Sequence, residues 1–73
     1  MKPSSLSPTD IAQWLKNLRL NAGVSQTELA VKCGWKPPMV SRLESGRVSP
    51  DLDTIEKFLD GLGLKLETKF TKI

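Results

Sequence analysis

Glycine residues divide this chain into short segments, and their spacing limits the possible folds more than any other feature of the sequence. Gly23, Gly34 and Gly46 recur about every dozen residues, and Gly61 and Gly63 follow. Glycine commonly ends a helix because it adopts the left-handed backbone conformation without steric cost. The segments between the glycines therefore leave room for a few short helices.

The residues that open these segments predict where each helix begins. Ser7 can cap a first helix that starts at Pro8, and residues 25–28, with the sequence SQTE, have the form of a capping box. A third helix is predicted over residues 37–45, where the two opening prolines need no helical hydrogen bond. Asp51 can cap a fourth helix.

The hydrophobic pattern changes near the C-terminus. From residue 64 onward, apolar and charged residues alternate, which is typical of a half-buried strand. Leu64, Leu66 and Phe70 lie in its apolar row. Because one strand cannot satisfy its own backbone groups, we expect it to pair with the same strand of a second copy. A disordered tail, or one that pairs only within a larger partner, is the alternative.

The composition excludes several classes of protein. The chain has one cysteine and no histidine, so an intrachain disulfide and any histidine-dependent catalytic device are impossible. A zinc site needs about four ligands, mostly Cys or His. We therefore expect no metal, no cofactor and no enzymatic activity.

The sequence also predicts a cytoplasmic protein. No apolar run approaches the roughly 20 residues of a membrane span. The N-terminus lacks the apolar stretch of a signal peptide, and the cysteine usage fits a reducing compartment.

The charge distribution is uneven along the chain. Eleven basic and eight acidic side chains give a net charge of +3. Residues 1–50 carry seven basic and three acidic side chains, a net of +4, whereas residues 51–73 carry four and five, a net of −1. A basic first half favours a polyanionic partner, although the excess is small.

Two short helices joined by Gly34-Trp35-Lys36 have the layout of a helix-turn-helix. From residue 15 to residue 62 the chain resembles the lambda-repressor-like (Cro/XRE) helix-turn-helix family. The matching residues are Leu18-Arg19, Gly23, Val24-Ser25-Gln26, Glu28-Leu29-Ala30, Gly34, Val40-Ser41-Arg42-Leu43-Glu44-Ser45-Gly46, Pro50, Ile55 and Leu62-Gly63. The fourth helix followed by an alternating strand resembles, in particular, the HipB-like antitoxin repressors.

The resemblance implies an all-α bundle of four to five helices, with the short C-terminal strand pairing across a dimer. It also implies an ion pair between Arg19 and Glu44 that links the first helix to the third. The polar start, the helix caps and the alternating tail divide the chain into a flexible N-terminus (1–6), a helix-turn-helix domain (7–63) and a dimerisation strand (64–73).

The resemblance further implies a third helix that enters the major groove of DNA. The implied base-contacting positions are Lys36, Pro37, Pro38 and Arg42. Arg42 is suited to a bidentate contact with guanine, whereas the prolines cannot donate a hydrogen bond. The implied phosphate-contacting positions are Ser25, Gln26, Ser45 and Arg47.

These features predict a bacterial, dimeric, sequence-specific repressor that binds double-stranded operator DNA at an inverted repeat and associates with the nucleoid when bound. The resemblance implies the antitoxin of a toxin–antitoxin operon, with a cognate toxin as a further partner. One alternative is a phage, plasmid or stand-alone regulator without a toxin. Another is a protein-interaction module that has lost DNA binding.

Overall fold

The computed structural model describes residues 7–65, and in that range the chain is an all-α bundle of four helices. They are α1 (Pro8–Asn21), α2 (Gln26–Cys33), α3 (Pro38–Glu44) and α4 (Leu52–Gly61). Packing joins α2 to both α3 and α4, and α1 to α3. The predicted flexible segment 1–6 and the strand residues Leu66 and Phe70 lie outside the described residues.

The helix starts follow the signals in the sequence. Ser7 Oγ and Ser25 Oγ each accept a hydrogen bond from the backbone N–H three residues later, at 3.2 and 3.0 Å. Ser25 and Glu28 complete a capping box, because the Glu28 carboxylate accepts in return from the Ser25 N–H. Asp51 Oδ1 accepts from the Thr54 N–H at 2.8 Å. All three predicted caps are confirmed.

The start of α3 differs from the other three. The helix spans Pro38–Glu44, one residue shorter at each end than the predicted range of 37–45. Pro37 occupies the N-cap position without a side-chain hydrogen bond, because its ring has no acceptor. Two prolines thus fill positions where backbone N–H groups would have lacked helical acceptors.

The core lies between the helices and is made mainly of aliphatic side chains. Its buried hydrophobic residues are Ala12, Leu15, Leu18, Leu29, Ala30, Val40, Leu43, Phe58 and Leu59. Trp14 and Trp35 are partly buried and pack against this core. The buried Nε1 of Trp14 has no hydrogen-bond partner among residues 7–65.

Two glycines determine the path of the chain after α4. Gly61 ends the helix where it approaches α2 closely, and Gly63 takes the left-handed conformation at φ +75°. The Leu64 N–H then donates to the Leu59 carbonyl at 2.8 Å. The Leu64 side chain packs against the core of its own subunit. Its predicted part in a dimer strand stays a prediction.

Candidate nucleic-acid interface

Helix α3 has one face in the core and one face in solvent. Val40 and Leu43, three residues apart, are buried at 0% and 2% exposure. Pro38, Ser41 and Arg42 are exposed on the opposite side. The helix therefore presents an outward surface that includes a cation, and its apolar anchors fix the orientation of that surface.

A buried ion pair fixes the C-terminal end of α3 to α1. Arg19 Nε donates to Glu44 Oε2 at 2.6 Å and Arg19 Nη2 to Glu44 Oε1 at 2.9 Å. The two side chains are only 8% and 3% exposed. Hydrogen bonding to Glu44 raises the pKa of Arg19 above its ordinary value, so the guanidinium stays charged. The implied pair is present and is bidentate.

Two further contacts extend this pair toward the start of α2. Arg19 Nη1 donates to the Val24 carbonyl at 2.9 Å, and Gln26 Nε2 donates to Glu44 Oε1 at 3.1 Å. The four residues join α1, the turn after it, α2 and α3. We call this set, Arg19, Val24, Gln26 and Glu44, the Arg19 network.

The four residues implied to contact bases all lie on the exposed surface. Lys36 and Pro37 belong to the turn, and Pro38 and Arg42 share one face of α3 at i, i+4. A surface groove of about 480 Å³ is formed jointly by residues of the turn and of α3. It is lined by Gly34, Trp35, Lys36, Pro38, Met39 and Arg42.

Three of the four residues implied to contact phosphate already have side-chain hydrogen bonds within the subunit. Ser25 Oγ belongs to the capping box, and the Gln26 amide belongs to the Arg19 network. Ser45 Oγ donates to the Arg42 carbonyl at 2.6 Å and accepts from the Arg47 N–H at 3.2 Å. Arg47 itself is exposed. Their contact with phosphate remains a prediction.

A second concave surface lies at the C-terminal end of α3. It measures about 350 Å³ and is lined by Ser41, Arg42, Ser45, Arg47 and Val48. Arg42 therefore lies between two concave surfaces and belongs to both. Ser41 was not among the predicted site residues, although it lies three residues after Pro38 on the same helix.

The sequence of this chain matches a known domain family. The helix-turn-helix domain family matches residues 10–69, which is most of the chain. This chain belongs to the helix-turn-helix domain family. Within residues 7–65 the turn of the motif joins α2 to α3, so α3 is its second helix.

Two curated relatives are similar in sequence. An uncharacterized HTH-type transcriptional regulator from Haemophilus influenzae is 42% identical over 48 residues, which cover 66% of this chain and 49% of that protein. Multiprotein-bridging factor 1 from Schizosaccharomyces pombe is 33% identical over 66 residues, which cover 90% of this chain and 45% of that protein. The chain thus spans about half the length of these relatives.

The fold also matches a solved structure. A chain of the HipA–HipB–O2–O3 complex superposes with a TM-score of 0.74 at 35% identity, and 99% of each chain is covered. The match supports the family that the sequence resembles. Across residues 7–65, no helix combines the length and the apolar character needed to cross a bilayer.

Proposed function

We propose that this chain is a sequence-specific DNA-binding transcriptional repressor that acts through binding and not through catalysis. The observation that carries the proposal is the orientation of α3. Its apolar side is buried and its Glu44 is anchored to Arg19, while Pro38, Ser41 and Arg42 are exposed. The major groove of B-DNA admits one helix, and an exposed arginine on such a helix can form two hydrogen bonds with guanine.

The charge of the exposed surface supports DNA as the partner. Lys36, Arg42 and Arg47 are exposed at and beside α3, and none of them has a carboxylate partner within 4 Å among residues 7–65. Cations near the surface of a helix that enters the groove can meet the phosphates on either side. Phosphate contacts position the protein, and base contacts then select the sequence.

The finer proposal is a dimeric antitoxin that binds an inverted repeat. The likeness to a chain of a complex containing HipA and HipB supports a repressor that also holds a second protein. The alternating residues from Leu64 to Phe70 support a strand that pairs with a second copy. Two α3 helices about 34 Å apart would then occupy successive major grooves and block access of the polymerase.

Selection of bound duplexes from a random pool, followed by mass measurement with and without the selected duplex, tests this proposal. We expect an enriched inverted repeat and a complex with two protein chains per duplex. Enrichment of a single half-site with one chain bound would contradict the dimer and leave DNA binding in place. No enrichment at low salt would contradict DNA binding itself.

A protein-bridging role is the second candidate. The Schizosaccharomyces pombe relative that covers 90% of this chain is named multiprotein-bridging factor 1. Val31 on α2 is 73% exposed and Leu20 on α1 is 54% exposed, so apolar side chains are available for a protein partner. Two results together would favour this function. The chain would shift no duplex at low salt in a gel, and Val31→Asp would abolish binding to a protein partner.

A further inference from the structure

The groove beside α3 is lined by both apolar and cationic side chains. Its apolar lining consists of Trp35 and Met39, which are partly buried, and Pro38, which is exposed; we call these three residues the floor of the groove. Lys36 and Arg42 are exposed and also line the groove, and we call them its rim. The groove therefore offers both van der Waals contact and positive charge.

The floor of the groove is held in place by backbone contacts. The Trp35 N–H donates to the Ala30 carbonyl at 2.8 Å, and the Met39 N–H donates to the Lys36 carbonyl at 3.0 Å. Gly34, in the left-handed conformation at φ +71°, turns the chain between α2 and Trp35. The shape of the groove is thus set by the turn itself and does not require a ligand to form it.

Proline at position 38 changes what this surface can recognise. A proline has no N–H and its ring has no polar atom, so Pro38 offers no hydrogen bond to a base edge. Within the major groove the apolar group that bases expose is the C5-methyl of a pyrimidine. The rim cations match the negative charge of the duplex on either side of such a methyl group.

We propose that this groove receives the C5-methyl group of a pyrimidine that neighbours a guanine contacted by Arg42. The methyl group belongs to thymine or to 5-methylcytosine, which present the same group at the same position. This inference rests on the proposed DNA-binding function and specifies what that surface selects. The inference makes Pro38, Trp35 and Met39 determinants of sequence specificity. Arg42 then contributes to recognition of both the methyl-bearing base pair and the guanine next to it.

Duplexes that differ by one C5-methyl group test the inference. In the duplex selected from the random pool, each thymine is replaced in turn by deoxyuridine, which removes only the methyl group. At one position per half-site we expect affinity to fall about fourfold, the equivalent of about 0.8 kcal/mol for one buried methyl group. Replacing that thymine–adenine pair by 5-methylcytosine–guanine should bind more tightly, again about fourfold, than replacement by cytosine–guanine.

A matched pair of protein variants assigns the effect to the groove. Pro38→Ser removes the apolar ring from the groove at the first residue of α3, where the restored backbone N–H needs no helical acceptor. We expect its affinities for the thymine and deoxyuridine duplexes to differ by less than twofold. Lys57, exposed on α4, does not line the groove and is not an implied DNA contact, so Lys57→Ala should keep the fourfold ratio. Circular dichroism of both variants verifies that α3 and the rest of the bundle remain folded.

The outcomes separate this inference from the function on which it rests. If no duplex binds at low salt, the proposed function fails, and the inference fails with it. If a duplex binds but no deoxyuridine substitution lowers affinity by twofold, the inference alone is overturned. It is also overturned if Pro38→Ser retains the fourfold ratio, since the methyl group then lies elsewhere.

Discussion

Arg19 on α1 and Glu44 on α3 are joined by two hydrogen bonds of 2.6 and 2.9 Å, although 25 positions separate them in the sequence. Glu44 also accepts from Gln26 at 3.1 Å, and Arg19 also donates to the Val24 carbonyl. Together with the buried Val40 and Leu43, this carboxylate and its donors hold α3 in one orientation. In that orientation Pro38, Ser41 and Arg42 face solvent.

Removing the arginine should destabilise the fold strongly. Arg19→Met leaves Glu44 buried without its charged partner, and we expect the free energy of unfolding to fall by about 3 kcal/mol or more. Urea denaturation followed by circular dichroism measures the change. Lys16→Met, at an exposed position on the same helix, is the control and should change stability by about 0.5 kcal/mol or less.

The double variant Arg19→Met with Glu44→Leu distinguishes the effect of an unpaired buried charge from a simple loss of packing. Replacing both charges by apolar side chains of similar size is often neutral. We expect most of the lost stability to return. A double variant as unstable as Arg19→Met alone would show that an unpaired buried Glu44 is not the cause of the loss.

The close approach of α4 to α2 depends on Gly61. A Cβ at this position would lie 2.7 Å from Leu29 Cδ1 and 2.9 Å from Cys33 Sγ. Overpacking costs about 1–3 kcal/mol, which exceeds the gain of about 1 kcal/mol from the higher helix propensity of alanine. Gly61→Ala should therefore destabilise by about 1 kcal/mol, as measured by urea denaturation.

Its neighbour provides the matched control. Asp60→Ala changes an exposed residue of the same helical turn and should alter stability by about 0.5 kcal/mol or less. Cys33→Ala should relieve part of the cost of Gly61→Ala by removing the sulfur. A Gly61→Ala variant more stable than the wild type would show that the two helices separate without penalty.

The cap of α4 should make stability depend on pH in acid. Hydrogen bonds from the Thr54 hydroxyl and then from its backbone N–H lower the pKa of Asp51 below its ordinary 3.8. The unfolded chain therefore binds a proton at a higher pH than the folded chain does. The contribution of Asp51 is complete above pH 3.8 and is lost as the pH falls through the lower, folded-state value.

Asp51→Asn keeps an oxygen acceptor for Thr54 but cannot titrate. We expect the wild type to be the more stable at neutral pH, and its advantage to shrink as the pH falls below about 4. Thermal unfolding of both proteins across this range measures the difference. An advantage that stays constant into strong acid would exclude titration of Asp51 as its source.

Phosphate contacts should be detectable in the salt dependence of DNA binding. Arg47→Ala removes an exposed cation beside α3, and we expect it to weaken binding to every duplex and to lower the salt slope by about one. Lys57→Ala, at an exposed position on α4, is the control and should leave the slope unchanged. Equal slopes for Arg47→Ala and the wild type would remove Arg47 from the phosphate-contacting set.

Local signals in the sequence were sufficient to predict the helix starts. A cap at Ser7, Ser25 or Asp51 depends on residues three positions away, so the sequence alone contains the whole interaction. The first turn of α3 lacks such a signal because Pro37 has no acceptor. The start of this helix was accordingly predicted one residue too early.

Contacts between distant residues were not available from local patterns. The Arg19–Glu44 pair came from family resemblance, since helical periodicity says nothing about residues on two different helices. The contact of Gln26 with Glu44, and the groove floor made by Trp35 and Met39, were not anticipated. Both arise only when the turn brings α2 and α3 together, which is a property of the tertiary structure.

Base contact by the outward face of α3 is tested most directly by a double-mutant cycle between Arg42 and its guanine. Affinities are measured for wild type and Arg42→Ala on the selected duplex and on duplexes with single 7-deazaguanine substitutions, which remove one acceptor of the guanine edge. We expect one substitution per half-site to weaken wild-type binding by about 1 kcal/mol and to have no further effect on Arg42→Ala. Equal losses for both proteins at every guanine would contradict this base contact.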